Sequence, residues 1–332
     1  MLSLLIAGNN VFTDKEIEDI AKLGYNVTTV QHEDSPEIPS AEKYDVVICN
    51  WLFVRHDIQA FRKLKAVQLL SAGLDRIPMG YVKEHNIQVR NMRGIYDIPI
   101  AEFTIMAVLD VYKHSDYFYD NQRMCSWIKH RRLDELSDKT VYVFGTGSVG
   151  TEVAKKFSVF ADQVIGVDLF PGEKPYFTEV VGIEKKKVAL QKSDVVVITL
   201  PLTEKTYHMF STDLLNTMKD NAILVNVARG ALIDESALQK ALNNGKFRAV
   251  IMDVFESEPL DESYWGWKAE RVMIIPHNTF ESKNNAERMK KQIMDNLKNW
   301  VFNISGGVKD RTTYCLVLSF VQLENRSVSL AA

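Results

Sequence analysis

A chain of 332 residues is too long for one ordinary hydrophobic core and suits two domains, each large enough to bury most of its apolar surface. Hydrophobic residues at 46% and charged residues at 25% exclude a disordered chain, and a formal net charge of -3 leaves no basic face for nucleic acid or anionic lipid. No window approaches the ~18 consecutive apolar residues that a membrane span requires, so no membrane partner is expected.

The N-terminal "MLSLLIAGNN" has only a short apolar run and lacks a basic leader, so it reads as a first strand rather than a signal peptide. Helical "DKEIEDIAKLG" follows, then the strands "NVTTV" and "DVVIC", a helical "IQAFRKLK", and the strands "AVQLLSAG" and "IQVRN". This alternation predicts an open parallel sheet covered by helices. The segment "IPIAEFTIMAVLDVYKHSDYFYDNQR" reads as one long helix with Pro99 in its first turn, carrying the chain out of the first domain.

A second βα series then begins with "KTVYVFG", "DQVIGVD", "DVVVITLP", "NAILVNVARG", "FRAVIMDVF" and "RVMIIPH", runs too rich in Val and Ile to be half exposed. The basic "EKKKV" at 184–188 suits a solvated helix face. From about Ser282, "KNNAERMKKQIMDNLKNWVF" is one amphipathic helix able to return to the first domain. The fold class is therefore α/β, with two doubly wound parallel-sheet domains: a flavodoxin-like one, discontinuous in sequence, and a Rossmann dinucleotide-type domain inserted in it. Cys49, Cys125 and Cys315 are odd in number and widely spaced, which gives neither a disulfide framework nor a CxxC metal site. A reducing, cytoplasmic setting and no metal are the expectations.

"VYVFGTGSVGTEVAKKF" sets Gly145, Gly147 and Gly150 in GxGxxG spacing between an apolar strand and a helix. The three glycines serve a tight turn, close approach of backbone to a pyrophosphate, and helix-to-strand packing, while the helix N-terminus offers N–H groups to the phosphates. Eighteen residues after Gly150, "VIGVDLF" ends a strand on Asp168. A carboxylate there accepts hydrogen bonds from ribose hydroxyls and repels a 2′-phosphate, so NAD is favoured over NADP.

Ligands of open α/β sheets sit outside the carboxyl ends of the strands, where this chain places Arg229, Asp253, Glu258 and His277. Singly, each has an ordinary explanation: an arginine near another element's C-terminus, a turn carboxylate before Pro259, a packed imidazole. Together they fit one chemistry. Arg229 forks onto a substrate carboxylate, His277 exchanges a hydroxyl proton, and Glu258 holds the imidazole. That is a hydride-transfer site for a 2-oxo or 2-hydroxy acid.

The motifs "VFGTGSVG", "VITLPLTEKTYHMF", "LVNVARGALIDESAL", "MDVFESEPL" and "IIPHNTF", in that order, resemble the D-isomer-specific 2-hydroxyacid dehydrogenase family, over nearly the whole chain to about residue 302. The resemblance implies a catalytic trio of Arg229, Glu258 and His277. It implies NAD contacts at Ser148, Val149, Asp168, Leu200, Pro201, Thr206, Val227, Ala228 and Asp253. "LSAGLD" looks like the family's substrate loop, with backbone N–H groups near Ala72 and Gly73 receiving the carboxylate, and Tyr96 in "RGIYDIPIAEF" lies in a hinge-like segment where it could face substrate. Trp267 falls in the loop before the histidine strand, where aromatic packing is the simpler role. A substrate-binding domain over 1–101, an NAD-binding domain over 102–283 and a return helix with tail over 284–332 follow, as does a homodimer through the inserted domain's first long helix.

Two departures mark the chain. Phosphoglycerate-type members carry basic residues in the first domain for the phosphate, where the loop after "DVVIC" in this chain is "NWLFVRHD", its first four residues uncharged and Arg55 nearby without a clear register; formate-type members carry glutamine where Glu258 stands. The tail, residues 307–332, does not match the family's ending. An NAD-sensing, corepressor-like binding protein and a phosphoglycerate-type substrate stay open as alternatives.

Overall fold

Short runs of Val, Ile and Leu without polar alternation can satisfy their backbones and bury both faces only inside a parallel sheet covered on either side. The computed structural model describes residues 1–8 and 12–305. It divides into two compact units, Met1–Ile95 with the described residues from Lys283 onward, and Tyr96–Ser282. The tail 307–332 lies outside the described residues.

In the first unit β1 (Leu2–Ala7), β2 (Tyr25–Val30), β3 (Val46–Cys49), β4 (Ala66–Leu69) and β5 (Gln88–Arg90) pair in parallel. Their order, β2-β1-β3-β4-β5, is the expected flavodoxin-like one. Helix α1 (Asp14–Lys22) starts on a capping box between Thr13 and Glu16; α2 (Leu52–Arg55) and α3 (Met79–Glu84) are short. The segment "IQAFRKLK", expected as a helix, is instead a single 3-10 turn at Ile58–Ala60. The chain leaves the helical path at Phe61, whose φ of -88° and ψ of 65° are non-helical, and Phe61 and Leu64 pack onto the core.

The helix Asn285–Ser305 belongs to this unit and repairs polar groups its sheet would otherwise bury unpaired. Asn296 Nδ2 donates to Oε1 of Gln68, which is wholly buried in β4, and Trp300 Nε1 donates to Gln88 Oε1 at 2.9 Å. Tyr25 Oη donates to Leu297 O at 2.8 Å.

The second unit opens with α4 (Asp97–Lys113) and α5 (Ser115–Arg123). The single long helix expected here is broken at His114, whose φ of 49° is left-handed and ends the α-helical path. There follow β6 (Thr140–Phe144), α6 (Ser148–Phe157), β7 (Gln163–Asp168), β8 (Glu179–Gly182), α7 (Lys186–Lys192), β9 (Val195–Ile198), α8 (Thr212–Thr217), β10 (Ala222–Asn226), α9 (Glu235–Asn243), β11 (Phe247–Met252) and β12 (Val272–Ile274). The basic stretch at 184–188 spans a 3-10 turn and the start of α7, with Lys185 and Lys187 exposed as expected of a solvated face.

The sheet order is β12-β11-β10-β9-β6-β7-β8. The chain starts at the centre, moves out to one edge, then crosses back, so the direction of winding reverses between β6 and β9. Strand β6 shows how the two cores form: Tyr142 and Phe144 face one hydrophobic cluster, Val141 and Val143 the other. Sequence reading gave six strands here and missed β8, a four-residue edge strand with little apolar signal. Among the described residues no helix is long and apolar enough to cross a membrane, and no group of three or more His, Cys, Asp or Glu side chains could hold a metal ion.

Candidate active site

Parallel register decides which residues share an edge. Phe144 pairs with Val167 and Ile198, Ile198 with Asn226, Asn226 with Met252, and Met252 with Ile274. The residues leaving the sheet just beyond this row are Gly145, Asp168, Thr199, Val227, Asp253 and Ile275, all on one side. All five motifs therefore meet at the carboxyl edge of unit 2, with Glu258 and His277 only a few residues further on.

The glycine loop is built by close contacts. Gly145 has φ +94°, and a Cβ there would sit 2.8 Å from Thr199 O. A Cβ at Gly150 would lie 2.0 Å from Gly145 O, so only glycine lets α6 begin this close to β6. Gly147 differs: an added Cβ meets nothing within 4 Å, and it caps α6 without a side-chain hydrogen bond. The N–H groups of Ser148 and Val149 stand in the helix's first turn, where an α-helix has no acceptor of its own to offer and an anionic group is favoured. Thr199 Oγ1, which sequence reading missed, ties this loop to β9 by donating to Gly145 O at 2.7 Å.

Asp168 is only 7% exposed. Its Oδ2 accepts from Thr146 N at 2.7 Å and Thr146 Oγ1 at 2.5 Å, and its Oδ1 from Phe170 N at 3.1 Å. Burial pushes this carboxyl up, but the Thr146 and Phe170 bonds and the nearby Lys174 ammonium outweigh it and hold Asp168 below the ordinary carboxylate range.

At the other end of the row, Arg229, Glu258 and His277 come together. His277 Nδ1 lies 2.8 Å from Glu258 Oε2, both side chains about one-third exposed, while Glu258 Oε1 accepts from Phe255 N at 2.9 Å. Burial raises the Glu258 carboxyl, yet His277, the Phe255 N–H and the Arg229 charge together leave it below its ordinary value. An ionised carboxylate only accepts, so Nδ1 carries the proton of this bond. Arg229 NH1 donates to Ala228 O at 2.7 Å. Its charge is felt at Glu258, and Gly230 beside it packs hard on the 255–256 backbone, where a Cβ would fall 1.9 Å from Phe255 C.

Two further residues hold these groups in place, Asn226, which the sequence did not single out, and Asp253, which it did. Asn226, wholly buried, accepts from Ala228 N and donates to Arg229 O, wrapping the turn that presents Arg229. Asp253, 2% exposed, spends its carboxylate on the histidine turn: Asn278 N and Thr279 N donate to Oδ1, Thr279 Oγ1 to Oδ2 at 2.5 Å, and His277 N to the Asp253 carbonyl. That anchoring holds His277 at φ 49°, a conformation few non-glycine residues adopt.

The remaining expected residues are placed as follows. Leu200 and Val227 are buried at the ends of β9 and β10, Ala228 is half-buried and Pro201 exposed, and Thr206 Oγ1 closes its loop by donating to Pro201 O at 2.7 Å. Tyr96 stacks edge-on against Phe280, which meets the His277 ring edge-on at 5.8 Å. Trp267 is not packed as expected but 51% exposed, its indole N–H donating to Asp261 O. Ala72 and Gly73 lie on unit 1 in the loop after β4, shaped by Ser71 Oγ donating to Gly73 O and Asn91 Nδ2 donating to Ala72 O. Nearby on that unit, Glu33 accepts from Asn50 N and Trp51 N, and the Arg76 guanidinium lies 3.6 Å over the Trp51 ring.

A family model described as "D-isomer specific 2-hydroxyacid dehydrogenase, NAD binding domain" matches residues 105–279, more than half of the chain. The chain belongs to the D-isomer specific 2-hydroxyacid dehydrogenase family. This dehydrogenase is 31% identical over 247 residues to a glyoxylate reductase of Korarchaeum cryptofilum, covering 72% of this chain and 74% of that one. Its fold is that of a D-lactate dehydrogenase from Aquifex aeolicus, complexed with NAD and lactic acid (TM-score 0.75, 23% identity, 91% and 96% covered). It is equally that of an NADPH-dependent glyoxylate/hydroxypyruvate reductase from Sinorhizobium meliloti, in complex with NADP and malonate (TM-score 0.76, 23% identity, 90% and 93% covered). Members of this family are NAD(P)-dependent oxidoreductases, and the cofactor-binding half of this dehydrogenase is unit 2.

The Glu258 carboxyl gives a stability prediction. Because its folded-state value lies below the ordinary 4.5, ionised Glu258 stabilises the fold above that pH, and the contribution is lost as pH falls through the lowered folded value. Glu258→Gln should therefore cost stability near neutral pH and progressively less below 4.5, read as urea midpoints across that range. A difference that stays constant through the acid range would contradict the pairing.

Proposed function

We propose that this dehydrogenase reduces a small 2-oxo acid to a D-2-hydroxy acid, and runs the reverse reaction, with NAD as its cofactor. The 2.8 Å pair of His277 Nδ1 and ionised Glu258, next to Arg229, carries this reading. The open space at Gly147 and the strand-end carboxylate Asp168 suit a dinucleotide, whose phosphates would meet the amides of Ser148 and Val149. When bound, the nicotinamide supplies the hydride for reduction and accepts it in oxidation.

The chain's own residues do the rest. Arg229 offers a planar fork for the substrate carboxylate, fixing which carbon is presented for reaction. With Nδ1–H committed to Glu258, the Nε2 of His277 is the atom that gives a proton to the substrate oxygen in reduction and takes it back in oxidation. The Glu258 charge stabilises the imidazolium and fixes the ring's orientation. Leu200, Pro201, Thr206, Val227 and Ala228 are assigned to the cofactor, and Tyr96 and the Ala72–Gly73 amides to the substrate. For Asp253 the three bonds to the 278–279 turn favour a positioning role over a cofactor contact.

The small acids named for the relatives, glyoxylate, lactic acid and malonate, support a small substrate. The segment "NWLFV" after β3 carries no charge of its own, and the cation beside it, Arg76, is stacked on Trp51 and donates to Asn50 Oδ1. Oligomeric assembly belongs to the same reading. The α4–α5 region and the segment after it expose Met106, Tyr119, Met124, Trp127 and Ile128, with Trp127 97% exposed, and a second copy covering this apolar surface would make a homodimer.

Absorbance assays with NADH and glyoxylate, pyruvate, hydroxypyruvate and longer 2-oxo acids should show NADH loss with at least one acid. His277→Gln should lower kcat roughly 10²- to 10⁴-fold while NADH still binds, since proton transfer is lost and the cofactor contacts are not. Inactivity of the native chain across the panel, or undiminished turnover in the variant, would sink the assignment. Sedimentation velocity should give particles of two chains; single chains at every concentration would refute the dimer.

A further inference from the structure

Asp168 is usually read as a carboxylate that excludes a 2′-phosphate, but in this chain it does not stand alone. Lys174, from the loop joining β7 to β8, brings Nζ to 3.5 Å from Asp168 Oδ2 and donates to Thr146 Oγ1, which itself donates to Asp168. Thr146 fits at the second position of the glycine motif because Gly166 on β7 has no side chain: a Cβ there would lie 2.5 Å from Thr146 Cγ2. The carboxylate that would meet the ribose is thus neutralised on one side by an ammonium.

The burial of the two partners is unequal. Asp168 is almost enclosed and its oxygens are fixed by three bonds from its own loops, whereas the Lys174 side chain keeps 28% of its surface in solvent on a flexible stem. A ribose hydroxyl hydrogen-bonded to Asp168 lies within ~3 Å of the carboxylate, which puts any 2′ substituent within reach of the Lys174 ammonium. An ammonium is a point charge with three rotatable donors, suited to a phosphate that approaches from solvent.

We propose that Lys174 is a specificity-determining residue that lets this site accept a 2′-phosphorylated adenosine ribose as well as the unphosphorylated one, so that the chain uses NADP alongside NAD. The proposal rests on the reading of unit 2 as the cofactor site and refines it: Asp168 alone would reject NADP, and the Asp168–Lys174 pair does not. The phosphate bonds to Lys174 Nζ by turning it away from Thr146, while Asp168 keeps its bonds to Thr146 N and Phe170 N.

Calorimetric titration of the full chain with adenosine 5′-monophosphate and with adenosine 2′,5′-bisphosphate separates the possibilities without any turnover. The native chain should bind both, the bisphosphate at least as tightly. Lys174→Met should weaken the bisphosphate by about tenfold or more and the monophosphate by less than about threefold, and Lys174→Arg should restore the bisphosphate. Binding of the monophosphate but not the bisphosphate by the native chain overturns the proposal and leaves the cofactor site standing. Equal loss of both ligands in Lys174→Met, with the fold retained by circular dichroism, reduces Lys174 to a structural residue and also overturns it. Binding of neither ligand by the native chain refutes the cofactor site, and the proposal with it.

Discussion

A buried carboxylate with no direct part in the proposed chemistry holds the candidate site together. Asp253 ends β11 and fastens the chain that leaves β12, through two backbone amides, the Thr279 hydroxyl and its own carbonyl. An unpaired carboxylate at that depth would be costly, so the turn is fixed as firmly as the charge is satisfied. Five residues along from Asp253 the chain presents Glu258, and the turn it fastens presents His277 at 2.8 Å. The left-handed backbone of His277 is the local cost of that placement.

The same logic of close, obligatory contacts runs along the whole edge of unit 2. Gly230 against the 255–256 backbone sets the Arg229 turn beside the segment that leads to Glu258, Gly145 against Thr199 joins the first turn to β9, and Gly150 against Gly145 lets α6 start at the sheet. Each glycine tolerates no side chain, and each brings one functional group to the row set by the parallel register. The open space at Gly147 is the exception, and its openness is what a pyrophosphate requires.

Much of this was legible from residues alone, because the signals are local. Apolar runs marked every strand but β8, the glycine spacing marked the βα turn, and the strand ends named Arg229, Asp168, Asp253, Glu258 and His277. What escaped were features set by partners distant in sequence. Nothing near Asn226, Thr199 or Thr146 announces that they bridge turns, and nothing near Asp253 announces that its carboxylate is bonded to residues 278–279. The helix break at His114 and the 3-10 turn at Ile58–Ala60 escaped for a related reason: apolar periodicity continues through both while the backbone does not.

The central claim is that Glu258 and His277 act as one proton-transfer unit, and a double-mutant cycle on kcat/KM tests it most directly. Glu258→Gln and His277→Gln are compared singly and together against the same 2-oxo acid with NADH. If the pair acts as a unit, the double variant is about as slow as the slower single variant, because the carboxylate has no task once the imidazole is gone. Losses that multiply, with the double variant slower by the full product of the two single effects, would contradict the account.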